Sequence, residues 1–260
     1  MERKNKLIII STFANDTFID EMNGFLHKQK GGPAFYLTNT FTMEGIQFDL
    51  RCPSIVGEAE ILIRHEDELG KIVRKPDQLA VPFATISSPF LAVSTLLDEI
   101  NLDGLPNFNG KIFLDVQGYV RDGDDFGKKK EWRPTAEMMD AIFCLKGTTE
   151  ELHHIPAYFL EKQKNKILIE TKAEAGCTIF TSGKRVDILP SHQVSGADTV
   201  GAGDTFFAYF ISQYIRSEDV CVSGAYAVEK TIGFLETKRE NLSTYPRGTR
   251  GFIEVVFPRD

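Results

Sequence analysis

Residues 198–206 read Asp-Thr-Val-Gly-Ala-Gly-Asp-Thr-Phe, so two glycines and a carboxylate stand where the sequence predicts the start of a helix. Glycine lets the backbone approach a ligand closely, and the unpaired N–H groups of a helix's first turn favour negative charge. A carboxylate aimed at an anion would repel it, so Asp204 either caps the helix and faces away or acts as a base toward a hydroxyl. The residues predict an anion-binding turn or, more simply, a capped helix after a glycine-rich turn.

This run closely resembles the C-terminal signature of the ribokinase-like (PfkB-type) carbohydrate kinases. The resemblance implies that Asp204 is the catalytic base. It also implies that the amides of Gly201, Ala202 and Gly203 form an anion hole for the transferring phosphoryl group. Thr199 in the same run is an expected cofactor contact.

Two segments near the N-terminus resemble the acceptor site of that family. Asp16 follows the strand predicted at residues 7–11, and the family has an Asp here that accepts hydrogen bonds from sugar hydroxyls. Gly31 and Gly32 precede a helix, where the family's glycine pair lies against the phosphoryl acceptor. The resemblance therefore implies that all three bind substrate, whereas ordinary turns are the alternative for both segments.

The family's usual Asn after the glycine pair is absent, and Phe35-Tyr36 stands near its place, which indicates an altered acceptor pocket. Residues 115–121 resemble an Asp-x-Gln-Gly-x-x-Arg segment of some family members. Arg121 is therefore an expected phosphate or acceptor contact, since a guanidinium binds oxyanions through paired bonds. A surface arginine is the alternative.

Residues 145–151 follow a predicted strand and open a helix, at the point where the family usually has Asn-x-x-Glu. Thr148 takes the Asn place and Glu151 the Glu place, with Glu150 as the alternative after a one-residue slip. The resemblance implies that Glu151 helps to organise Mg²⁺ and the nucleotide phosphates. The acids could equally complement the helix dipole.

Residues 171–176 resemble the family's Thr-x-Gly-x-x-Gly nucleotide loop, which implies that Thr171 and Gly176 contact the cofactor. Ala173 replaces the first glycine of that pattern. This departure matters only if the position needs a positive φ, which alanine tolerates poorly. A plain β-hairpin turn is the alternative.

Short apolar runs alternate with amphipathic stretches along the chain, as expected for β-α units that cover a sheet on both faces. The predicted strands are residues 7–11, 84–87, 111–116, 141–145, 166–170 and 178–181, with 55–56 and 60–63 as the best candidates in an interrupted stretch. The predicted helices are residues 34–43, 94–100, 135–139, 150–160, 204–215 and 220–237. Asn23-Gly24 indicates a hairpin turn, and the charged run 122–130 a solvated surface loop.

The composition limits the function classes. A net charge of −7 argues against a nucleic-acid partner, and the apolar run 7–10 is too short for a signal peptide or a membrane span. The four cysteines are scattered and suggest neither a disulfide framework nor a zinc site, which fits a reducing cytoplasm. We therefore expect a soluble cytoplasmic protein with a small-molecule partner.

The resemblance implies an α/β fold, a ribokinase-like three-layer sandwich with a mostly parallel central sheet and a small β lid. One kinase domain is expected over residues 1–260, with the lid from about 17–30 and part of 48–82 as a further candidate. The implied reaction is transfer of the ATP γ-phosphoryl group, with Mg²⁺, to a sugar, polyol or nucleoside hydroxyl. A catalytically inactive nucleotide- or sugar-binding protein is the alternative, and both a monomer and a homodimer stay open.

Overall fold

The computed structural model describes residues 6–20, 25–64, 67–195, 198–243 and 253–254. Its strands are β1 Leu7–Ser11, β2 Ala14–Asp20, β3 Phe25–Gly31, β4 Phe48–Arg51, β5 Gly57–Arg64, β6 Asp67–Arg74, β7 Phe90–Ser94, β8 Lys111–Asp115, β9 Ile142–Thr148, β10 Ile167–Thr171, β11 Cys177–Thr181, β12 Lys184–Ile188 and β13 Ile253–Glu254. Its helices are α1 Pro33–Met43, α2 Gln117–Val120, α3 Ala136–Ala141, α4 Thr149–Leu152, α5 Ala157–Gln163, α6 Ala202–Ser217 and α7 Val220–Ser243.

The central sheet has eight strands in the order β12-β11-β10-β9-β8-β7-β1-β4. The six strands from β10 to β4 pair in parallel, and β11 and β12 add an antiparallel edge. The parallel strands are nearly continuous apolar runs, as is typical of strands covered on both faces. The predicted α/β fold with a mostly parallel sheet is confirmed.

Alternation along the strands builds a core on each face of this sheet. In β1, Ile8 and Ile10 pack into one apolar cluster, while Leu7 and Ile9 pack into the other. Helices α1, α6 and α7 cover the second cluster, and residues of α3, α4 and α5 cover the first. Because successive strand residues point to opposite faces, one sheet fills both layers of a sandwich.

A second, smaller sheet has the strand order β13-β3-β2-β5-β6. Its inner residues Phe18, Ala59 and Ile61 form a third apolar cluster with Tyr36 and Val200. Through this cluster the small sheet packs against the loop that precedes α6. The described part of the chain contains no helix long and apolar enough to cross a membrane.

Two of the predicted elements around residue 90 are wrong. Residues 84–87 are not a strand, since Phe83–Thr85 forms a short 3₁₀ helix, and the strand of the central sheet is β7 instead. Residues 94–100 are not a helix: Ser94 ends β7, and the Glu99 carboxylate accepts hydrogen bonds from the Leu96 and Leu97 amides at 2.9 and 2.7 Å. A side chain that satisfies local amides lets the backbone stay irregular.

Apart from residues 55–56 and 150–160, the other predicted helices and strands agree with the structure except at their ends. The helix predicted at residues 150–160 is two short helices, because Pro156 begins the second one as the N-cap of α5. The predicted strand at residues 55–56 is wrong, because these residues lie in the loop before β5, whereas β5 contains the predicted strand 60–63. Asn23-Gly24 and residues 196–197 lie outside the described residues, although β2 and β3 on either side of the predicted hairpin turn do pair antiparallel.

Candidate active site

The turn before α6 has the backbone conformation that the glycines of residues 198–204 predict. Gly201 is the N-cap of α6 with φ 80° and ψ 0°, a left-handed conformation that glycine adopts without strain. A Cβ atom on Gly201 would lie 2.3 Å from the Tyr36 ring. Asp198 closes the turn by accepting a hydrogen bond from the Val200 amide at 2.9 Å. Both conformation and space therefore require a glycine here.

The amides of this turn differ in their availability. The Ala202 N–H donates to the Thr199 carbonyl at 2.9 Å, and Ala202 does not line the cavity described below. Within the described residues, the Gly201 and Gly203 amides donate no hydrogen bond to the chain. The structure therefore leaves two of the three expected anion-hole amides open to a ligand, and the Ala202 amide serves the turn instead.

Asp204 lies in the first turn of α6 and is 5% exposed. Its carboxylate accepts no hydrogen bond from a backbone amide of the described residues. Instead, one of its carboxylate oxygens accepts a hydrogen bond from the Ser94 hydroxyl at 3.0 Å, at the C-terminal end of β7. Of the two alternatives for Asp204, the geometry favours a carboxylate that faces the cavity.

Burial raises the pKa of Asp204 to about 7, and the neighbouring Asp115 adds to the rise. Lys146, the Ser94 hydrogen bond and Arg121 act in the opposite direction and favour the ionised form. A carboxylate with a pKa near neutrality is suited to accept a proton, because its conjugate acid is then neither too strong nor too weak.

A cavity of about 270 Å³ lies between the small sheet, the C-terminal ends of the central strands and the start of α6. Eight of the residues predicted from sequence line it: Asp16, Gly32, Arg121, Glu151, Thr199, Gly201, Gly203 and Asp204. These positions are far apart in sequence. The fold therefore brings most of the predicted site into one place.

On the small-sheet side, both glycines of the pair are required by close contacts. A Cβ atom on Gly31 would lie 1.8 Å from the Asp16 carboxylate, and Gly32 has φ 76° with a Cβ position 2.6 Å from the Ala14 nitrogen. Asp16 itself is 3% exposed and lines the cavity. Gly31 does not line the cavity, and its contribution is to admit the Asp16 side chain.

Two cations lie on the same side of the cavity. Arg121 packs 4.7 Å above the Phe126 ring, and its guanidinium donates to the Leu96 carbonyl at 3.3 Å. The Lys129 ammonium donates to the Phe126 carbonyl at 2.6 Å, and Lys129 also lines the cavity. Neither cation forms a salt bridge with a carboxylate in the described part of the chain. Both are therefore available to an anionic ligand.

Lys129 lies in the run 122–130, which was predicted to be a solvated surface loop, and that prediction is wrong for part of the run. Phe126 is 7% exposed and joins the apolar cluster beneath the small sheet. A lone phenylalanine in a charged run was the signal that could have revealed a packed segment. Arg121, predicted from sequence, is likewise half-buried rather than a surface arginine.

At the opposite wall, Thr148 and Glu151 form a capping box at the start of α4. The Glu151 carboxylate accepts from the Thr148 amide at 2.8 Å, and the Thr148 hydroxyl accepts from the Glu151 amide at 3.1 Å. Glu151 is 6% exposed and still lines the cavity, as does the exposed Glu150. Glu151 therefore does stabilise the start of the helix, which was the alternative to a role in binding. Its carboxylate nevertheless lies beside the cavity.

The described residues contain no group of three or more side chains that could hold a metal. Mg²⁺ commonly takes one or two carboxylates and completes its shell with water and phosphate oxygens. Among the carboxylates that line the cavity, that of Glu151 therefore fits a Mg²⁺ that is carried in with a phosphate donor.

Residues 171–176 form the turn of an antiparallel hairpin between β10 and β11, which was the alternative to a nucleotide loop. Ala173 has φ 46°, so the position where the family has glycine does have a positive φ. Gly176 has φ 80°, and a Cβ atom there would lie 2.2 Å from the Ile188 carbonyl. Neither Thr171 nor Gly176 lines the cavity.

Sequence reasoning missed Lys146, which is 1% exposed and lines the cavity. Its ammonium forms an ion pair with Asp115 at 2.7 Å, and it lies 3.0 Å from the position of a Cβ atom on Gly203. Asp115, the last residue of β8, and Lys146, two residues before the end of β9, are register partners. Two charges at the carboxyl ends of adjacent buried strands were the signal available from sequence.

Comparison with known proteins supports the resemblance seen in the sequence. Residues 133–229 match the family model of the pfkB family carbohydrate kinases. That segment contains Glu151, Thr199 and Asp204 but not Asp16 or the glycine pair. No curated protein sequence matches the chain.

Several solved structures share the fold over nearly the whole chain. A nucleoside kinase of Methanocaldococcus jannaschii, an archaeal member of the ribokinase family, has a TM-score of 0.72 at 16% identity and covers 90% of this chain and 92% of its own. A pyrophosphate-dependent kinase in the ribokinase family, complexed with a pyrophosphate analog and myo-inositol, has a TM-score of 0.70 at 16% identity, with 92% and 100% covered. Arabidopsis thaliana ribokinase, complexed with ribose and ATP, has a TM-score of 0.66 at 15% identity, with 94% and 100% covered.

At these identities the likeness shows the fold. This chain therefore has the ribokinase fold, and its sequence matches the PfkB kinases over residues 133–229. The predicted resemblance and fold class are confirmed.

Proposed function

We propose that this protein transfers the γ-phosphoryl group of ATP to a hydroxyl of a small sugar, polyol or nucleoside. The observation that carries the proposal is the start of α6, where the buried Asp204 carboxylate lies beside the open Gly201 and Gly203 amides. A base and an anion-binding turn that share one cavity are suited to move a phosphoryl group onto a hydroxyl.

The acceptor would bind on the small-sheet side of the cavity. Asp16 would accept hydrogen bonds from its hydroxyl groups, and Arg121 would donate to its oxygen atoms. The Gly32 backbone lies at the same wall. These contacts would direct one hydroxyl toward Asp204, which would take its proton as the bond to phosphorus forms. A positioned base contributes typically about 10²–10⁴-fold in rate.

The phosphoryl group would lie against the first turn of α6. The Gly201 and Gly203 amides and the positive end of the helix dipole would stabilise the charge on its oxygens. Glu151 would hold Mg²⁺ at this wall of the cavity, and the ion would supply positive charge that offsets the charge of the donor phosphates. Thr199 lines the cavity at the same turn, and its hydroxyl would donate a hydrogen bond to the phosphates of ATP.

Two donors are compatible with this site. ATP is supported by the similar ribokinase that was solved with ATP, and Thr171 and Gly176 remain the proposed nucleotide contacts. Pyrophosphate is the second candidate, because a similar kinase of the ribokinase family depends on it and because Thr171 and Gly176 lie outside the cavity. Both donors present the same terminal phosphoryl group to Asp204.

The test is consumption of each donor, with Mg²⁺, against a panel of pentoses, hexoses, inositols and nucleosides. We expect donor consumption that depends on one acceptor class and stops when EDTA removes Mg²⁺. A bound donor at about 100 times its dissociation constant should also add about 2.7 kcal/mol to stability. Thermal stabilisation by a donor without turnover of any acceptor would contradict the proposed reaction and support the inactive binding protein instead.

A further inference from the structure

A buried lysine beside the start of α6 has hydrogen-bonding capacity that the chain does not use. Lys146 is 1% exposed, and in the part of the chain that the structure describes its ammonium donates one hydrogen bond, to Asp115 at 2.7 Å. An ammonium carries three N–H donors, and a buried charged donor without a partner is costly. Two donors of Lys146 therefore await a partner.

The position of this ammonium shows where such a partner would lie. Its nitrogen is 3.0 Å from the place of a Cβ atom on Gly203, so it lies against the first turn of α6. Lys146, Gly203 and Asp204 all line the same cavity. The partner would therefore occupy the space beside the open Gly203 amide.

The charges around Lys146 fix both its protonation and the sign of the partner. Burial alone would lower the pKa of Lys146, but Asp115, Glu151 and Asp204 outweigh burial and raise it, so the ammonium stays charged. The three carboxylates would repel an anion that entered the cavity. The ammonium is the charge that can offset this repulsion at the wall where the amides are open.

We propose that Lys146 is a catalytic residue that donates hydrogen bonds to the transferring phosphoryl group, and that Asp115 is the positioning residue that aims its ammonium. The proposal rests on the proposed function and adds a side-chain cation to the backbone anion hole. In the step, the phosphorus–oxygen bond to the leaving phosphate breaks with its electron pair staying on that oxygen. The bond from phosphorus to the acceptor oxygen forms, the hydroxyl proton goes to Asp204, and Lys146 keeps its proton.

A purely structural ion pair predicts a different response to mutation. Removing one partner of a buried pair is destabilising because the other charge is left alone, whereas replacing both partners is often close to neutral. The informative variant is therefore the double change Lys146→Met with Asp115→Asn, which removes both charges at nearly constant volume. Lys162→Met, which removes an exposed ion pair with Asp140, is the matched control.

We expect the double variant to keep its melting temperature and to lose at least about a hundredfold in kcat, since loss of one transition-state donor costs about 10²–10³-fold. The control should keep kcat. A double variant with both the melting temperature and the kcat of the wild-type protein would overturn the proposal. No turnover by the wild-type protein would instead overturn the proposed function.

A second measurement does not depend on the folding of any variant. In a crystal structure of the wild-type protein with Mg²⁺ and a nonhydrolysable ATP analogue, we expect the Lys146 nitrogen within about 3.2 Å of a γ-phosphoryl oxygen. A bound analogue whose phosphate oxygens all lie beyond hydrogen-bond distance from Lys146 would overturn the proposal.

Discussion

Two turns of this protein resemble phosphate- and nucleotide-binding loops in sequence, but they differ in what they contact. Residues 199–203, the helix turn, lead into α6 and line the cavity with Thr199, Gly201 and Gly203. Residues 172–176, the hairpin turn, connect β10 to β11, and no residue of this turn lines the cavity. The helix turn keeps the residues of the kinase signature and lies at the cavity. The hairpin turn departs from the expected glycine pattern and lies outside the cavity.

The two turns also differ in how their residues fit the backbone. Gly201 supplies the glycine that a φ of 80° requires, and it has the Tyr36 ring against it. Ala173 has φ 46° without being glycine, a conformation that costs an L-residue about 1–2 kcal/mol. Pairing of β10 with β11 imposes the turn despite this cost.

The largest expected effect is that of Gly201→Ala. The new Cβ atom would lie 2.3 Å from the Tyr36 ring, so the helix turn must shift, and with it the open amides. A displacement of about 1 Å in a catalytic group can cost about 10²-fold. We therefore expect kcat to fall about a hundredfold, measured as acceptor-dependent donor consumption by the folded fraction.

Gly183→Ala is the matched control for Gly201→Ala. Gly183 has φ 74° in the turn between β11 and β12, outside the cavity, and a Cβ atom there lies no closer than 3.3 Å to the Asn165 side chain. Gly183→Ala imposes a backbone strain similar to that of Gly201→Ala, so we expect this variant to lose stability and to keep its kcat. Equal losses of kcat in the two variants would show that strain alone explains the effect.

The next expected effect is a change in kcat/KM of about tenfold per pH unit on the acid side of the profile. Asp204 must be ionised to accept a proton, and burial raises its pKa to about 7, so kcat/KM should fall about tenfold per unit as the pH drops below about 7. Ser94→Ala removes the hydrogen bond that favours the ionised form and should move this acid limb to higher pH.

Ser212→Ala is the control for the pH profile, since Ser212 is a buried residue of α6 whose hydroxyl has no partner among the described residues. Its acid limb should stay near pH 7. A profile that is flat from pH 5 to pH 8 in the wild-type protein would contradict the assignment of Asp204 as the base.

The smallest expected effect belongs to the hairpin turn. Ala173→Gly relieves the positive φ and should stabilise the protein by about 1 kcal/mol, or about 2–4 °C in Tm, with kcat unchanged. Ala175→Gly in the same turn, at a residue without a positive φ, should instead destabilise by about 0.5–1 kcal/mol. Thermal unfolding decides between the two signs, and a fall in Tm for both variants would contradict the strain argument.

The comparison also shows how much of the molecule could be predicted from sequence. Where an element has a local cause, the prediction holds: β1 follows from a continuous apolar run, and α6 from an apolar stretch after glycines. The prediction fails where a short apolar run is compatible with both a strand and a helix. The strand predicted at residues 84–87 is found at Phe90–Ser94, directly before the residues 94–100 predicted as a helix, because burial on both faces removes the periodicity that separates the two.

The candidate site divides in the same way. Consecutive residues reveal the helix turn, since its glycines and carboxylate act within one segment. Lys146 and Lys129 matter only because the fold brings them to the cavity from distant strands and loops. Their partners, Asp115 and Phe126, cannot be assigned before the register of β8 with β9 and the packing of the small sheet are known.

The central claim is that Asp204 removes the acceptor proton, and Asp204→Asn tests it most directly. The amide keeps the shape of the carboxylate and can still pair with Ser94, so folding and donor-induced thermal stabilisation should be nearly unchanged. The measurement is acceptor-dependent phosphoryl transfer by wild type and variant, side by side. We predict a loss of at least about a hundredfold in the variant. Near-normal transfer by a folded, donor-binding Asp204→Asn protein would contradict the claim.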